Sequence, residues 1–188
     1  SVQSFALPWQ VDPVRDEVHL GVAPYAYPNV LVGLYCRWHN RPNFGEISGD
    51  LGLVVSNDGL TFREPEKGRV WLRAQDSPVT PLPDKALPTV LCQANGILNV
   101  ADQTLIYHGR WRNSDYGKPG IPPENYWGEV ALATLPRDRW AALELAPGAE
   151  EGSVWSAPVT LPPARDKAAG NNARGAAVFL NGDALDGV

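Results

Sequence analysis

The apolar positions of this chain fall into short runs divided by polar turns, and two series of such runs repeat. Val30 to Asn40 reads VLVGLYCRWHN, and Thr104 to Asn113 reads TLIYHGRWRN. Each has an aliphatic run, then a tyrosine, then Arg-Trp-x-Asn, and each enters a polar loop containing Pro and Gly. The next segments match too: GDLGLVVSNDGLTF from Gly49 to Phe62, and GEVALATLPRDRW from Gly128 to Trp140. Both open on Gly plus a carboxylate, continue through aliphatics, turn on polar residues and end on an aromatic. Asp50 in the first copy corresponds to Glu129 in the second. The copies lie about 75 residues apart, long for a four-stranded propeller blade, and loop insertions account for the excess.

β-Branched and aliphatic runs of this length predict strands. In the first unit these are Glu17 to Tyr25, Val30 to Trp38, Asp50 to Ser56 and Leu60 to Glu64. The second unit runs from near Val90 to near Leu145. Tyr27-Pro28-Asn29 and Ala101-Asp102 sit at hairpin turns, and Asn57-Asp58-Gly59 is a turn because these residues tolerate positive φ. No segment joins sustained helical periodicity to caps. Arg137 to Glu144 comes nearest, and the repeat maps it onto a turn and strand.

The fold class these patterns predict is all-β: a partial β-propeller of four-stranded antiparallel blades. Residues 1–150 hold the blades, at about 15–68 and 89–148, on the repeat spacing. Residues 151–188 hold closing strands. Within them Ser153 to Pro162 reads as a strand, Arg165 to Arg174 as a loop, and Ala176 to Leu185 as a further strand and turn. Two blades leave unpaired edges, so the remaining blades are expected from elsewhere in a parent chain.

Composition narrows the class. The chain has 188 residues, 44% of them hydrophobic, enough for a core rather than disorder. Gly and Pro number 18 each, which favours a loop-rich β protein. A net charge of -5 argues against a nucleic-acid partner. No stretch has the length of a membrane-spanning helix, so no membrane partner is expected. The chain lacks Met and begins at Ser1, as a processed chain or a piece of a longer one would, and a secreted or periplasmic location is compatible with that. Cys36 and Cys92 have no zinc spacing and lie in apolar runs, so buried free thiols are the expectation, with a disulfide left open. No cofactor or metal is expected.

The candidate chemistry lies where polar residues flank strand ends. Glu17 and His19 share a face at the start of the first strand by period-two alternation, with Gly21 and Ala23 behind them. The stretch Cys92 to Gly96 is taken as its counterpart, with Gln93 and Asn95 on one face. The loop between the second and third strands carries Arg37, Trp38, His39 and Asn40 at one end and Asp50 at the other. The second copy offers Arg110, Trp111, Arg112, Asn113 and Glu129. Carboxylates, amides and Arg suit neighbouring hydroxyls, and an indole face covers the apolar side of a sugar ring. Glycoside cleavage needs two carboxyl groups, and Glu17, Asp50 and Glu129 are the candidates. His19, Arg37, Trp38, His39, Gln93, Asn95, Arg110, Trp111 and Arg112 are the candidate substrate contacts. Asp58 reads as a turn residue and His108 as a satisfied strand histidine rather than a ligand.

GDLGLVVSNDGLTFREP resembles the strand–turn–strand signature of five-bladed propeller glycosidases, the clan holding families 32 and 43. EVHLGVAPY, LYCRWHN, LCQANGILNV and GEVALATLPRDRW resemble uncharacterised bacterial family 32-like members, in which two late blades precede a β-sandwich with strands like SVWSAPVTLP and AVFLNGDAL. The resemblance covers nearly the whole chain from Glu17 onward. It implies that a partial β-propeller is followed by the beginning of a β-sandwich, with residues 151–188 as the start of the C-terminal β-sandwich. It also implies a glycoside hydrolase-like protein acting on oligo- or polysaccharide, with Glu17 or Glu129 as general acid and Asp50 orienting hydroxyls. The clan's WxNDPNG and RDP motifs are absent. A non-catalytic carbohydrate-binding or scaffold propeller is the alternative, and a protein-interaction platform a third.

Overall fold

A computed structural model describes residues 16–27, 30–39, 41, 44–113, 120, 122, 125, 127–145 and 147–155, with the backbone alone at 16–21, 44 and 93–95. The chain divides into two compact bodies, residues 1–142 and 143–188. The first is all-β. Its strands are β1 (Asp16–Ala26), β2 (Leu31–His39), β3 (Ser48–Ser56), β4 (Val70–Leu72), β5 (Thr89–Val100), β6 (Gln103–Arg112) and β7 (Gly128–Pro136). Short 3-10 turns at Phe44–Glu46 and Ala74–Asp76 are the other regular elements among the described residues. Described residues 143–155 of the second body carry no strand, and Leu143, Leu145, Val154 and Trp155 there are exposed. The strand expected over Ser153 to Pro162 lies mostly outside the described residues, and the loop and strand expected after it lie wholly outside.

The strands form one open mixed sheet in the order β1-β2-β3-β5-β6-β7, with β4 on β3. All pairs are antiparallel except β3 with β5, which meet in parallel at Gly49 and Val90. The pattern of the sequence explains the positions. β2 is apolar along most of its length and is buried on both faces, as an internal strand requires. β7 alternates exposed and half-covered residues, as an edge strand tolerates.

The hairpins follow turn chemistry. Val100 pairs with Gln103 across Ala101-Asp102, and Ala101 takes φ 52, as a two-residue hairpin requires. After β3, the Asp58 Oδ1 accepts from the Leu60 and Thr61 amides at 2.9 and 2.7 Å, while Gly59 takes φ 73. Arg137 to Trp140 is a turn, with the Arg137 amide donating to the Asp102 carbonyl at 2.7 Å, and no helix forms there.

The repeat holds at the level of cross-strand register. Arg37 faces Asp50 across β2 and β3, and Arg110 faces Glu129 across β6 and β7. Trp38 faces Gly49 just as Trp111 faces Gly128. Three expectations are corrected. The segment Leu60 to Glu64 is reduced to one bridge, Val55 with Arg63. Asp58 takes the amides just before the bridge, Pro65 after it has no N–H to donate, and β4 pairs with β3 at Leu51 and Gly52. The period-two alternation in the first strand of each unit is broken by a register shift, between His19 and Val22 in β1 and between Gln93 and Gly96 in β5; extra residues there leave the ladder. Finally, Glu17 pairs with Trp38 and His19 with Cys36, while Val90 pairs with Trp111 and Cys92 with Gly109. The counterparts of Glu17 and His19 are therefore Val90 and Cys92, not Gln93 and Asn95.

Two apolar clusters lie on opposite sides of β2. Tyr35, Val54 and Phe62 form one, flanked by Val22 and Leu31. Cys36, Trp38, Ile47 and Val90 form the other, flanked by Cys92 and Trp111. Both thiols are free. A hydrogen bond between them, with one from Trp111, holds Cys92 down against its burial, and the Cys36–Cys92 bond together with burial pushes Cys36 up. Gly49 opens the space for this cluster, because a Cβ there would lie 2.9 Å from both the Cys36 Sγ and the Val90 Cγ1. Its repeat partner Gly128 has room, with the nearest atom, the Trp111 Cβ, at 3.8 Å. Gly49→Ala is therefore expected to destabilise by about 1–3 kcal/mol through overpacking. Gly128→Ala should stay within about 0.5 kcal/mol of wild type. Urea unfolding of the two variants checks this, and equal midpoints would contradict the packing difference.

Candidate functional site

The Arg–carboxylate pairs of the two repeats stand in the same register, but different neighbours complete them. In the first unit, Asp50 Oδ2 lies 2.7 Å from His39 Nε2, and its Oδ1 accepts from the Ala74 amide at 2.6 Å. Arg37 turns its Nη1 to the Gly68 carbonyl at 2.6 Å. Burial would raise the Asp50 pKa. The hydrogen bonds from His39 and the Ala74 amide, with the charges of His39 and Arg37, outweigh it and hold the carboxyl below its usual range.

In the second unit, Glu129 Oε1 accepts from Arg110 Nε at 2.7 Å and from the Thr80 amide at 2.8 Å. Its Oε2 accepts from the Thr80 hydroxyl at 2.9 Å and the Trp127 indole at 3.4 Å. The Thr80 amide is the main cause of a pKa lowered to about 2; burial opposes it, and the Thr80 hydroxyl, Trp127 and Arg110 add to it. Beneath this pair, buried His108 sets its Nε2 2.9 Å from the Ser77 hydroxyl. Burial holds its pKa low. Its Nδ1 is buried without a hydrogen-bond partner, so His108 is a strand histidine satisfied at one ring nitrogen only.

The segment joining the two units organises both pairs. Ala74 binds Asp50, Ser77 receives Arg110 Nη1 at 3.4 Å, and Thr80 binds Glu129. Ordered charge-assisted hydrogen bonds of this kind fix side chains while leaving them partly open; the Arg110 and Glu129 side chains are 26% and 20% exposed.

The expected contacts are distributed as follows. Asp50 with His39 and Arg37 gathers at one pair, and Glu129 with Arg110 at the other. Trp38 and Trp111 pack against each other. Trp38 is buried, the two rings pack 6.1 Å apart, and the Trp111 indole donates to Cys92 Sγ at 3.0 Å. Their alternation with Arg37 and Arg110 sends them to the apolar side of the sheet. Arg112 is buried, its guanidinium 5.6 Å from the centre of the Trp127 ring. The backbone register of Glu17, His19 and Gln93 is fixed, but their side chains and that of Asn95 lie outside the described residues. Glu17 and His19 pair opposite Trp38 and Cys36, one position out of phase with the Arg37–Asp50 row.

Trp127, Thr80 and Ser77 are residues the pattern did not single out. Trp127 is 50% exposed and beside the repeated Gly-carboxylate opening, a position where the first copy has Ser48. Thr80 and Ser77 lie between the repeats, where no periodicity speaks for them. Among the described residues, no group of three or more His, Cys, Asp or Glu could hold a metal ion. Comparison with protein-family models, curated proteins and solved structures finds no match to this chain.

Proposed function

We propose that this protein is a glycoside hydrolase-like member of a propeller architecture that binds an oligo- or polysaccharide through its repeated Arg–carboxylate rows. The observation that carries the reading is the pairing of Arg37 with Asp50 and of Arg110 with Glu129 at the same register position in both repeats. The second pair stands partly open beside a half-exposed tryptophan. Ionised carboxylates accept paired hydroxyl donors, Arg donates to ring and hydroxyl oxygens, and an indole face takes the apolar side of a sugar. The approach of β5 to β1 and β2 supports the propeller arrangement, in which first strands of neighbouring blades stand side by side. Because Asp50 and Glu129 are held ionised, they suit the base, nucleophile or hydroxyl-orienting roles, and Glu17 is the candidate left for proton donation.

A carbohydrate-binding protein without turnover is the second reading. It is favoured by one observation: both described carboxylates have each oxygen engaged within the chain. One experiment separates the readings. Glu17, Asp50 and Glu129 are replaced singly by amides, and each variant is assayed on a glycoside panel and on a glycan array. Cleavage predicts that Glu17→Gln lowers turnover by about 100-fold or more while binding persists. Glycan binding without product would establish the second reading, and unchanged rates in all three variants would remove the catalytic assignment.

A further inference from the structure

Arg112 differs from its repeat counterpart in one respect that bears on ligand class. In the first unit the corresponding residue is His39, which lies 2.7 Å from Asp50. In the second unit the corresponding carboxylate, Glu129, is taken by Arg110, Thr80 and Trp127. Arg112 is only 6% exposed, and its Nε is buried without a hydrogen-bond partner. The charged group rests on the Trp127 ring at 5.6 Å. An aromatic face attracts a cation but neither neutralises it nor accepts its in-plane N–H bonds. Buried arginines are ordinarily matched by a carboxylate, and among the described residues none is bonded to this one.

We propose that Arg112 is the recognition point for an oxyanion carried by the sugar, so that the ligand is an acidic saccharide with a carboxylate or a sulfate ester. This deepens the carbohydrate reading and rests on it. A planar guanidinium held against Trp127 is preorganised for a forked contact with such a group. Trp127, half exposed beside it, provides apolar surface for the same sugar unit. The anion supplies the charge balance that the strand pairing leaves unmet in the second unit, whereas Asp50 supplies it in the first.

The test uses isothermal titration of wild-type protein with a hexuronate oligosaccharide, a sulfated oligosaccharide and a neutral one of the same length, and separately with inorganic sulfate. Acidic oligosaccharides should bind roughly tenfold or more tightly than the neutral one, as one charge-assisted contact allows. The better of the two acidic arms identifies the oxyanion. Arg112→Met should erase that preference without lowering the unfolding midpoint, because it removes a buried unmatched charge and keeps an apolar stem. Neutral and acidic oligosaccharides binding equally would overturn the inference while leaving the carbohydrate reading intact. Arg112-dependent sulfate binding with no saccharide binding would keep the anion site and remove the carbohydrate reading. Absence of all binding would remove both. Should Arg112→Met fail to fold, the wild-type comparison of acidic with neutral ligands still decides.

Discussion

Gly52→Ala should cost about 3 kcal/mol or more, at the upper end of what overpacking does to a core. A methyl group at position 52 would enter the space of the Tyr35 ring, meeting its Cζ, Cε1 and hydroxyl oxygen. Gly52 and Tyr35 are directly paired across β3 and β2, so the ring lies flat over the glycine and fills the place of the missing side chain. The ring cannot swing aside freely. It is fully buried against Val54 and Phe62, and its hydroxyl donates to Glu64 Oε1 at 2.7 Å. Glu64 is itself held, since its Oε2 accepts from the Gly68 amide at 2.9 Å. Relief would require moving two strands apart or breaking this chain of contacts. Urea unfolding measures the loss. The same substitution in a Tyr35→Leu background should cost much less than in wild type, because directly touching sites are non-additive. A Gly52→Ala protein with a wild-type midpoint would show that the tyrosine does not cover this glycine.

That contact also marks where sequence reading stopped. The matched Arg-Trp and Gly-carboxylate segments were enough to find β2, β3, β6 and β7 and to pair Asp50 with Glu129. Repeated sequence implies repeated register, and register fixes which residues face one another. The first strands were found but misaligned. Alternation extrapolates only through an unbroken ladder, and the shifts after His19 and Gln93 displace everything beyond them. A bulge has no strong signature in a stretch as mixed as VHLGV. The tryptophans of the Arg-Trp motif fit a sugar platform and a core alike on composition, and only the tertiary structure shows Trp38 buried with Trp111 packed against it. Trp127 and Thr80 were missed for a different reason. Each acts through a tertiary contact with Glu129, and neither is repeated in the first unit, so no local or periodic pattern points to it.

Glu129 is the residue whose removal should matter most among the polar ones, and its effect should depend on pH. At pH 7, Glu129→Ala is expected to cost about 2 kcal/mol, the scale for losing charge-assisted hydrogen bonds and leaving their donors unmatched. Those donors are Arg110 Nε and the amide and hydroxyl of Thr80, so the linker between the repeats loosens along with the strand pair. The pH dependence follows from its titration. Folding lowers the Glu129 pKa from 4.5 to about 2, so the unfolded chain binds a proton first as the solution is acidified. The stabilisation is therefore present in full above the unfolded value and is lost as pH falls through the folded one. Wild type should lose stability between about pH 5 and pH 2 more steeply than Glu129→Gln, as followed by urea unfolding at successive pH values. Parallel curves would mean that the carboxylate is not held by these donors. The same argument bears on catalysis. A carboxyl that is ionised throughout the neutral range has no proton to give a leaving oxygen, so the group that donates one must be elsewhere. The basic limb of turnover, where the proton donor is lost as pH rises, should then persist in Glu129→Gln, and its disappearance would return Glu129 to the role of general acid.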